Sequence, residues 1–193
     1  MARHKEFNQD KTIEKAMDLF RLKGYEATSI QDLVDHLGIG RGSIYDTFGS
    51  KHGLYLAALD RYLSEDNQDG VPLTDDTVST KALITQMMRH QIDDALNKAS
   101  SGGCLMVNSA MELGLHDQAV ATRIKANLAT GEEMFTALLS QGQARGEISP
   151  TLDPRAIARS LVNAIVGMRV MAKVDPNRQV LDDLVTVALS VLD

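Results

Sequence analysis

The sequence predicts an all-α protein of about nine helices. Apolar residues recur at i, i+3, i+4 and i+7 through most of the chain, which is the spacing of one helix face. Turn-forming stretches such as SSGG, ARGEISP and VDPN separate these segments, and no stretch alternates as a strand does. With 193 residues and 44% hydrophobic content, the chain can bury a substantial core and has room for two domains.

The first helix is predicted from about Lys5 to Lys23, with Gly24 at its end. One of its faces is apolar, and we expect that face to brace the helices that follow. The apolar face consists of Ile13, Ala16, Met17 and Phe20.

Residues 28–51 predict two short helices joined by a turn that glycines flank. The first helix carries one apolar stripe, and a Thr-Ser pair is placed to cap its start. Gly38 and Gly40 then bracket Ile39, the turn residue that can plug into the core, and a glycine here permits a left-handed stop. The stripe consists of Ile30, Leu33, Val34 and Leu37.

The second short helix starts near Arg41 and is predicted to read DNA. Ile44 and Phe48 share one face and can pack inward. The outward residues are mostly cationic or hydrogen-bonding, and a helix presented in this way fits the major groove. The outward set is Arg41, Gly42, Ser43, Tyr45, Asp46 and Thr47. The alternative is a helical hairpin without a ligand, which would have no need of these groups.

A fourth helix can begin after Ser50, which is placed to cap it. The stretch NQDGVPL that follows marks a boundary between one domain at 1–64 and another at 65–193. Five further helical patterns are found at about 76–99, 103–114, 117–145, 154–173 and 178–192.

The net charge of −6 is distributed so that neither half of the chain is basic. Residues 1–60 hold eight Lys or Arg against nine Asp or Glu. DNA binding would therefore depend on a few cations at the phosphates, and we expect a modest, salt-sensitive affinity. The cations placed for this role are Arg3, Lys5, Arg41 and Lys51.

Composition also restricts the cellular compartment. No run of 18 apolar residues is present, and the N-terminal residues are too charged for a secretory signal, so we expect a soluble, intracellular protein without membrane contact. A single cysteine cannot form an internal disulfide, which fits a reducing compartment and excludes a cysteine-based zinc finger.

The sequence lacks a nucleophile elbow, a phosphate-cradling glycine loop, a paired-cysteine motif and HExxH. We therefore expect neither enzyme activity nor a cofactor. His90 with Asp93 or Asp94, and Glu112 with His116, share helix faces as a metal site or a salt bridge would require. Two ligands in each cluster are too few for a typical metal site, so salt bridges are the favoured interpretation.

The helix-turn-helix and its flanking residues resemble the DNA-binding domain of the TetR family of bacterial transcriptional regulators. The resemblance covers residues 12–60 in residue type, spacing and glycine placement. The flanking residues are Phe20, Lys23, Gly24 and Tyr25 before it, and Gly49, Ser50, Lys51, Leu54 and Tyr55 at its end. The resemblance implies a cytoplasmic protein that binds double-stranded operator DNA. The DNA contacts predicted from it and from helix geometry are Thr28, Ser29, Arg41, Gly42, Ser43, Tyr45, Asp46, Thr47 and Lys51.

The last two helices predict a surface for a second subunit. Asp153 and Pro154 give the first of them a cap and a first-turn proline, and the last helix is apolar around much of its circumference. In the resembled family these helices form a four-helix bundle with their copies, which implies a homodimer on a palindromic operator. Burial within one monomer is the alternative. The predicted interface is Leu161, Ile165, Met168, Leu184, Val187, Ala188 and Val191.

Residues 76–150 resemble the part of the family that binds a small-molecule effector. Phe135 is the only aromatic residue after Tyr62, whereas seven of the nine methionines lie after Tyr62. A cavity in this part of the chain would therefore be aliphatic and deformable. A methionine-filled core without a ligand predicts the same pattern. Polar residues, Arg169 among them, are further pocket candidates because burying them without partners is costly. The predicted lining is His90, Met106, Asn108, Met111, Glu112, Phe135 and Met168.

Cys104 opens the predicted helix GCLMVNSAMEL and follows two glycines that leave room for access. A thiol in the first turn of a helix feels the partial positive charge of backbone N–H groups, which raises its reactive fraction. The segment also resembles one in TetR-type regulators that respond to electrophiles or oxidants through a cysteine. The alternative is a small apolar residue buried between helices.

Together these features predict a sequence-specific DNA-binding regulator. We expect a repressor that leaves its operator when it binds a small apolar ligand or reacts at Cys104. The alternative function is a helical carrier or sequestering protein that binds an apolar molecule without any DNA function. The intact set of Arg41, Ser43, Tyr45 and Lys51 argues against the carrier.

Overall fold

The computed structural model describes residues 7–68, 78–100 and 102–192, and this part of the chain confirms the all-α prediction. It contains nine α-helices, a final 3₁₀ turn and no strand, and none of its helices is both long and apolar enough to cross a membrane. Arg3, Lys5 and the part of NQDGVPL after Gln68 lie outside the described residues. The helices are α1 (Gln9–Lys23), α2 (Ile30–Leu37), α3 (Arg41–Phe48), α4 (Lys51–Gln68), α5 (Thr80–Ala99), α6 (Leu105–Leu113), α7 (Gln118–Ala144), α8 (Pro154–Val174) and α9 (Arg178–Leu189).

Capping groups in the sequence account for several helix ends. α1 begins at Gln9, later than predicted, because the Asn8 side chain accepts a hydrogen bond from the Lys11 amide at 3.0 Å. α8 begins with the predicted capping aspartate and first-turn proline. The last helix is shorter than predicted, since it gives way to a 3₁₀ turn at Ser190–Leu192.

The first four helices enclose a core that contains buried aromatic residues. Phe20 of α1 meets Tyr55 of α4 edge-on, with ring centroids 5.0 Å apart, and Tyr25 packs on Tyr55 at 4.7 Å. Leu33 of α2 and Ile44 of α3 are buried in the same cluster. Both helices of the helix-turn-helix are therefore anchored to this core, which fixes the residues of α3 that face outward.

Helices α5, α7, α8 and α9 form a second core of mostly aliphatic residues. Leu161 and Met168 of α8 are fully buried in it. α7 and α8 approach closely at Gly131, where an added Cβ would lie 3.3 Å from Val162 Cγ2. This bundle provides the walls of the pocket described below.

α6 connects the two cores. Leu105, Met106 and Leu113 are buried in the cluster of the N-terminal helices, although they lie after the predicted domain boundary in the sequence. Val120 and Ile124, at the start of α7, join the same cluster. Because interiors are close-packed, a displacement of α6 would be felt by the helices that carry the helix-turn-helix.

Candidate DNA-binding interface and effector pocket

A capping box fixes the start of α2. The Ser29 hydroxyl accepts from the Asp32 amide at 3.0 Å, and the Asp32 carboxylate accepts from the Ser29 amide at 2.8 Å. Hydrogen bonds from Lys23, at 2.8 Å, and from Ser29 hold the pKa of Asp32 well below its usual range. α2 then ends at Gly38, whose φ of 69° suits glycine, and the chain turns into α3.

α3 presents an open polar face. A Cβ on Gly42 would meet nothing within 4 Å, so the space in front of the helix is free of protein. Gly40 caps α3 without a side-chain hydrogen bond, which leaves first-turn N–H groups for an anion such as phosphate. Ser43 is half-buried, and the exposed residues of this face are Arg41, Gly42, Tyr45, Asp46 and Thr47. Their contacts with DNA remain a prediction.

Thr28 does not lie on this face. It is fully buried, and its hydroxyl donates to Gly24 O at 2.6 Å. The prediction that its side chain holds a phosphate is therefore wrong for this arrangement, because the hydroxyl is turned into the α1–α2 turn. Ser29 is exposed, but its hydroxyl already serves the capping box through Asp32.

Lys51 ties the start of α4 to the same turn. Its Nζ donates to Tyr25 O at 2.8 Å and to Thr28 O at 2.9 Å, and it lies 4.1 Å from the centroid of the Tyr25 ring. The side chain therefore has a structural role in addition to the predicted phosphate contact.

Two further cations lie beside the reading helix and were missed from the sequence. Lys11 and Lys15 of α1 are exposed and line a cleft that also includes Gly40 and Ser43. Their spacing of four residues places both on one helix face. That signal was present in the sequence, but α1 was interpreted only as a brace.

The polar residues of α6 join the two parts of the molecule. Glu112 accepts hydrogen bonds from the backbone N–H of Tyr25 at 2.9 Å and of Glu26 at 2.8 Å, one on each carboxylate oxygen. Asn108 donates to Arg21 O at 3.2 Å and accepts from Lys173 Nζ at 2.8 Å. Both residues were predicted to line the effector pocket. Their side chains bind the α1–α2 turn, or α1 and α8, and both border a separate cleft between α1, α6 and α8, so their effector role stays a prediction.

A second set of contacts links α4 to α6 and α7. The Tyr55 and Ser109 hydroxyls are 2.6 Å apart, and burial raises the pKa of Tyr55 to about 12. His52 Nε2 lies 2.5 Å from Asp117 Oδ2. Burial acts to raise the pKa of Asp117, but hydrogen bonds from the Val120 amide and from His52 outweigh it and lower the pKa.

A pocket of about 140 Å³ lies between α5, α6, α7 and α8. Two of the seven predicted ligand residues, Met106 and Phe135, line it. Arg169 and Gln91 provide polar groups in the wall, and Arg169 Nη2 donates to Gln91 Oε1 at 2.6 Å. Gln91 was missed, although a polar residue between two buried apolar positions of α5 is a recognisable signal.

The other predicted ligand residues lie elsewhere. His90 is exposed on α5, and Met111 is 84% exposed on α6. Met168 is buried in the second core rather than at the pocket wall. Met168 is therefore wrong as a pocket residue, whereas His90 and Met111 border two other surface clefts and their effector role stays a prediction.

The described residues contain no cluster of three or more His, Cys, Asp or Glu side chains that could hold a metal ion. The carboxylates expected to pair with histidines have other partners. Asp94 pairs with Lys98 at 2.9 Å, and Asp93 pairs with Arg178 of α9. Glu112 binds backbone amides, so the expected salt bridges to His90 and His116 are wrong.

Cys104 is the N-cap residue of α6 and only 4% exposed. Arg169 Nη1 donates to its Sγ at 3.7 Å. The preceding glycines have φ values of 94° and 79°, and a Cβ on Gly102 would lie 2.4 Å from Arg21 O. The prediction that they leave room for access is wrong, since they permit close packing instead.

The residues predicted for the dimer surface differ in exposure between α8 and α9, and the dimer itself stays a prediction. Leu161 and Met168 are fully buried within one protomer, and Ile165 lines the pocket, so these residues face inward. Ala188 of α9 is half-buried. The exposed large apolar residues of α8, α9 and the final 3₁₀ turn are Val170, Met171, Val174, Leu184, Val187 and Val191.

Known families match nearly the whole described chain. The family model for bacterial regulatory proteins of the tetR family matches residues 13–58, and the model for a tetracyclin repressor-like C-terminal domain matches residues 81–188. The chain belongs to the TetR family. TetR proteins are DNA-binding transcriptional regulators, not enzymes.

Individual TetR proteins resemble this chain over most or all of its length. The HTH-type transcriptional regulator YezE of Bacillus subtilis is 34% identical over 100% of both chains. The HTH-type transcriptional repressor ComR of Escherichia coli is 33% identical over 89% of this chain and 82% of its own. A cysteine mutant of the TetR regulator CifR, solved with a 26-base-pair double-stranded operator DNA, matches with a TM-score of 0.84 and 26% identity over 100% of both chains.

Proposed function

We propose that this TetR-family protein is a repressor that places α3 in the major groove of its operator. The exposed polar face of α3, opposite buried Ile44, carries the proposal. Arg41 and Tyr45 extend from this face, and Ser43 lies where the helix would meet base edges. Two relatives support this proposal: ComR is named as a transcriptional repressor, and CifR was solved in complex with operator DNA.

Phosphate contacts would come from several sources. The first turn of α3 offers backbone N–H groups, and Lys11 and Lys15 border the same cleft. Lys51 adds a cation at the start of α4. With so few cations, binding would lose affinity steeply as salt is raised.

The protein would act as a homodimer on a palindromic site. The apolar residues that α8 and α9 expose suit a bundle with a second copy, because a monomer gains nothing from leaving them in water. Val187 and Val174 are the most exposed of this set, at 72% and 84%. Two-fold symmetry would place two copies of α3 on successive turns of the duplex.

Release from DNA would begin at the pocket and pass through α6. Met106 lies in the pocket wall, and Glu112, six residues further along α6, holds the α1–α2 turn. Six residues of α-helix span about 9 Å, so a shift of α6 at Met106 reaches the turn that precedes α2. The effector would therefore change the placement of the helix-turn-helix.

A gel-shift assay with DNA flanking the gene of this protein tests the DNA function. We expect specific retardation that Arg41→Ala and Tyr45→Ala abolish, whereas Ser43→Ala changes sequence preference more than general affinity. Lys125→Ala on α7 is the matched control, since it removes an exposed cation outside the candidate interface. A carrier protein would retard no DNA specifically at any salt concentration.

Release by reaction at Cys104 is a second route. Cys104 is buried beside Arg169, which favours a packing role over reaction with an electrophile or oxidant. The test is to alkylate or oxidise the native protein and compare operator release with that of Cys104→Ser. A thiol that is labelled only after unfolding, with equal release in both proteins, would leave the non-covalent pocket as the route.

A further inference from the structure

We infer that the effector is a small aliphatic monocarboxylate whose head group pairs with Arg169 in the pocket between α5 and α8. The inference rests on the proposed function, because it names the chemistry of the molecule that would act there. It depends on three observations: the charge in the pocket wall, the apolar character of the remaining wall and the volume of the pocket.

Arg169 brings a permanent charge to the pocket wall. It is only 7% exposed, and its Nη2 and Nη1 donate to Gln91 Oε1 at 2.6 Å and to Cys104 Sγ at 3.7 Å. Guanidinium does not lose its proton in proteins, and its planar set of N–H donors matches the two oxygens of a carboxylate. A carboxylate that enters the pocket therefore meets a group with which it can form charge-assisted hydrogen bonds.

The rest of the wall suits an alkyl chain. Apart from Asn127 and Thr130, the remaining wall is mostly apolar, and its larger side chains include Met87, Met134, Phe135 and Ile165. Methionine side chains adapt to aliphatic ligands, and a single phenyl ring offers no stack for a flat polycyclic molecule. The arrangement fits a ligand with one anionic end and a short apolar tail.

The volume indicates the size of the ligand that this pocket alone would hold; Leu128, Val162 and Val166 also line a larger neighbouring pocket of about 590 Å³. The pocket measures about 140 Å³. An engineered cavity of about 150 Å³ in another protein holds benzene, which has six heavy atoms. A ligand of roughly six to eight heavy atoms is therefore the right size, which corresponds to a monocarboxylate of about four to six carbons.

Both ends of such a ligand would act on α6. The head group would engage Arg169, which donates to Cys104 at the N-cap of α6, and the tail would contact Met106 in the second residue of the helix. The ligand would thus favour one position of α6 over another, which is the differential binding that a population shift requires.

Isothermal titration calorimetry on the full chain, without DNA, tests the inference at pH 7. The probes are pentanoate, the neutral and nearly isosteric pentanamide, and dodecanoate. We expect pentanoate to bind about tenfold or more tightly than pentanamide, because the amide cannot form an ion pair with Arg169. Dodecanoate should bind more weakly than pentanoate because its tail exceeds this pocket, and equal or tighter binding of dodecanoate overturns the proposed chain length. Equal affinity for pentanoate and pentanamide, or absence of pentanoate binding, overturns the inference.

Two variants locate the site. Arg169→Met should weaken pentanoate by about tenfold or more and leave pentanamide unchanged. Met134→Trp, at another lining position, should weaken both ligands because the larger side chain fills the space and leaves the charge of Arg169 in place. If Arg169→Met does not fold, as judged by circular dichroism, the inference is tested by the affinities of the wild type for pentanoate and pentanamide and by those of Met134→Trp. Unchanged pentanoate affinity in either folded variant overturns the assignment.

Calorimetry and the gel shift separate the inference from the proposed function. A protein that binds pentanoate with the expected dependence on Arg169 but retards no DNA would support the ligand class and overturn the repressor. A protein that binds its operator and releases it for pentanamide as readily as for pentanoate would support the repressor and overturn the ligand class.

Discussion

Glu112 offers the sharpest test of how the two parts of the molecule communicate. Its two carboxylate oxygens accept the backbone N–H groups of Tyr25 and Glu26, which lie 87 and 86 residues away in the sequence. Glu112→Gln keeps one oxygen acceptor but replaces the other with an NH₂ group. That group is a donor, so it would face a backbone donor and one of the two amides would lose its partner.

The expected cost follows from this geometry. A hydrogen bond to a charged group contributes about 1.5–3 kcal/mol when buried, but the Glu26 amide is exposed and water replaces part of the loss. We expect Glu112→Gln to lower the free energy of unfolding by about 1–2 kcal/mol. For a chain of this size, that change corresponds to a decrease in Tm of roughly 2–8 °C.

Hydrogen exchange gives the local readout. The amide that loses its partner, that of Tyr25 or of Glu26, should exchange about 5–30 times faster in Glu112→Gln, because its opening free energy falls by the same 1–2 kcal/mol. Amides of the buried core around Phe20 should change less. Operator binding without effector should persist, whereas the response to effector should weaken, since the tie that carries the shift of α6 is loosened.

Glu133→Gln is the matched control. Glu133 is exposed on α7, so the same chemical change there should leave Tm and the exchange of both turn amides as in the wild type. If Glu112→Gln behaves like this control in exchange and in effector response, the α6 link described above is refuted. A loss of stability without any change in effector response would limit Glu112 to a structural role.

Three other predictions concern single side chains. Lys51→Ala should lower the free energy of unfolding by about 1–3 kcal/mol, because Nζ donates to two turn carbonyls. It should also reduce the dependence of log affinity for DNA on log salt concentration by about one unit relative to Lys125→Ala, and an unchanged dependence would exclude the phosphate contact. Val187→Asp should produce monomers in sedimentation equilibrium, since a carboxylate there is harmless in a protomer but costs several kcal/mol in a buried bundle; a dimer that persists would exclude this face. Burial raises the pKa of Tyr55 to about 12, above the unfolded value of about 10, so its contribution of about 2–3 kcal/mol is present below pH 10 and is lost as pH rises to 12. Chemical denaturation should show that loss in the wild type and in the exposed control Tyr45→Phe but not in Tyr55→Phe, and equal losses in all three would contradict it.

The helix-turn-helix was predictable because its signals are local. The apolar stripe of α2, the left-handed glycine at its end and the inward Ile44 all act within one or two turns of the chain. The exposed face of α3 follows from the same periodicity. Thr28 was misplaced because it precedes the cap by one residue, and the direction of a side chain there depends on how the turn packs against Gly24.

The phase of α8 could not be obtained from periodicity alone. The helix carries one apolar stripe through Leu161 and Met168, which its own core buries, and another at Val170 and Val174, which remains exposed. Both stripes have helical spacing, and hydrophobic periodicity does not say which neighbour a stripe meets. α9 was easier, because Val187 lies on a face for which the protomer supplies no cover.

The polar residues of α6 show why a pocket is harder to predict than a reading helix. The sequence interpretation assumed that a polar residue in a buried helix faces a ligand or a charged side chain at i+4, as with Glu112 and His116. Glu112 instead accepts hydrogen bonds from two backbone amides. Nearly every residue has a backbone amide, so the sequence does not indicate which of them a carboxylate will bind. The pocket is polar where α8 supplies Arg169 and α5 supplies Gln91, two residues 78 positions apart that only the tertiary fold brings together. The communicating helix therefore uses its polar groups to hold the DNA-reading part, while its apolar Met106 faces the pocket. A ligand would act on α6 mainly through its shape at Met106 and through its charge at Arg169 of α8. Substitution of Arg169 should therefore impair ligand binding, whereas substitution of Glu112 should impair the transmission of that binding to the helix-turn-helix.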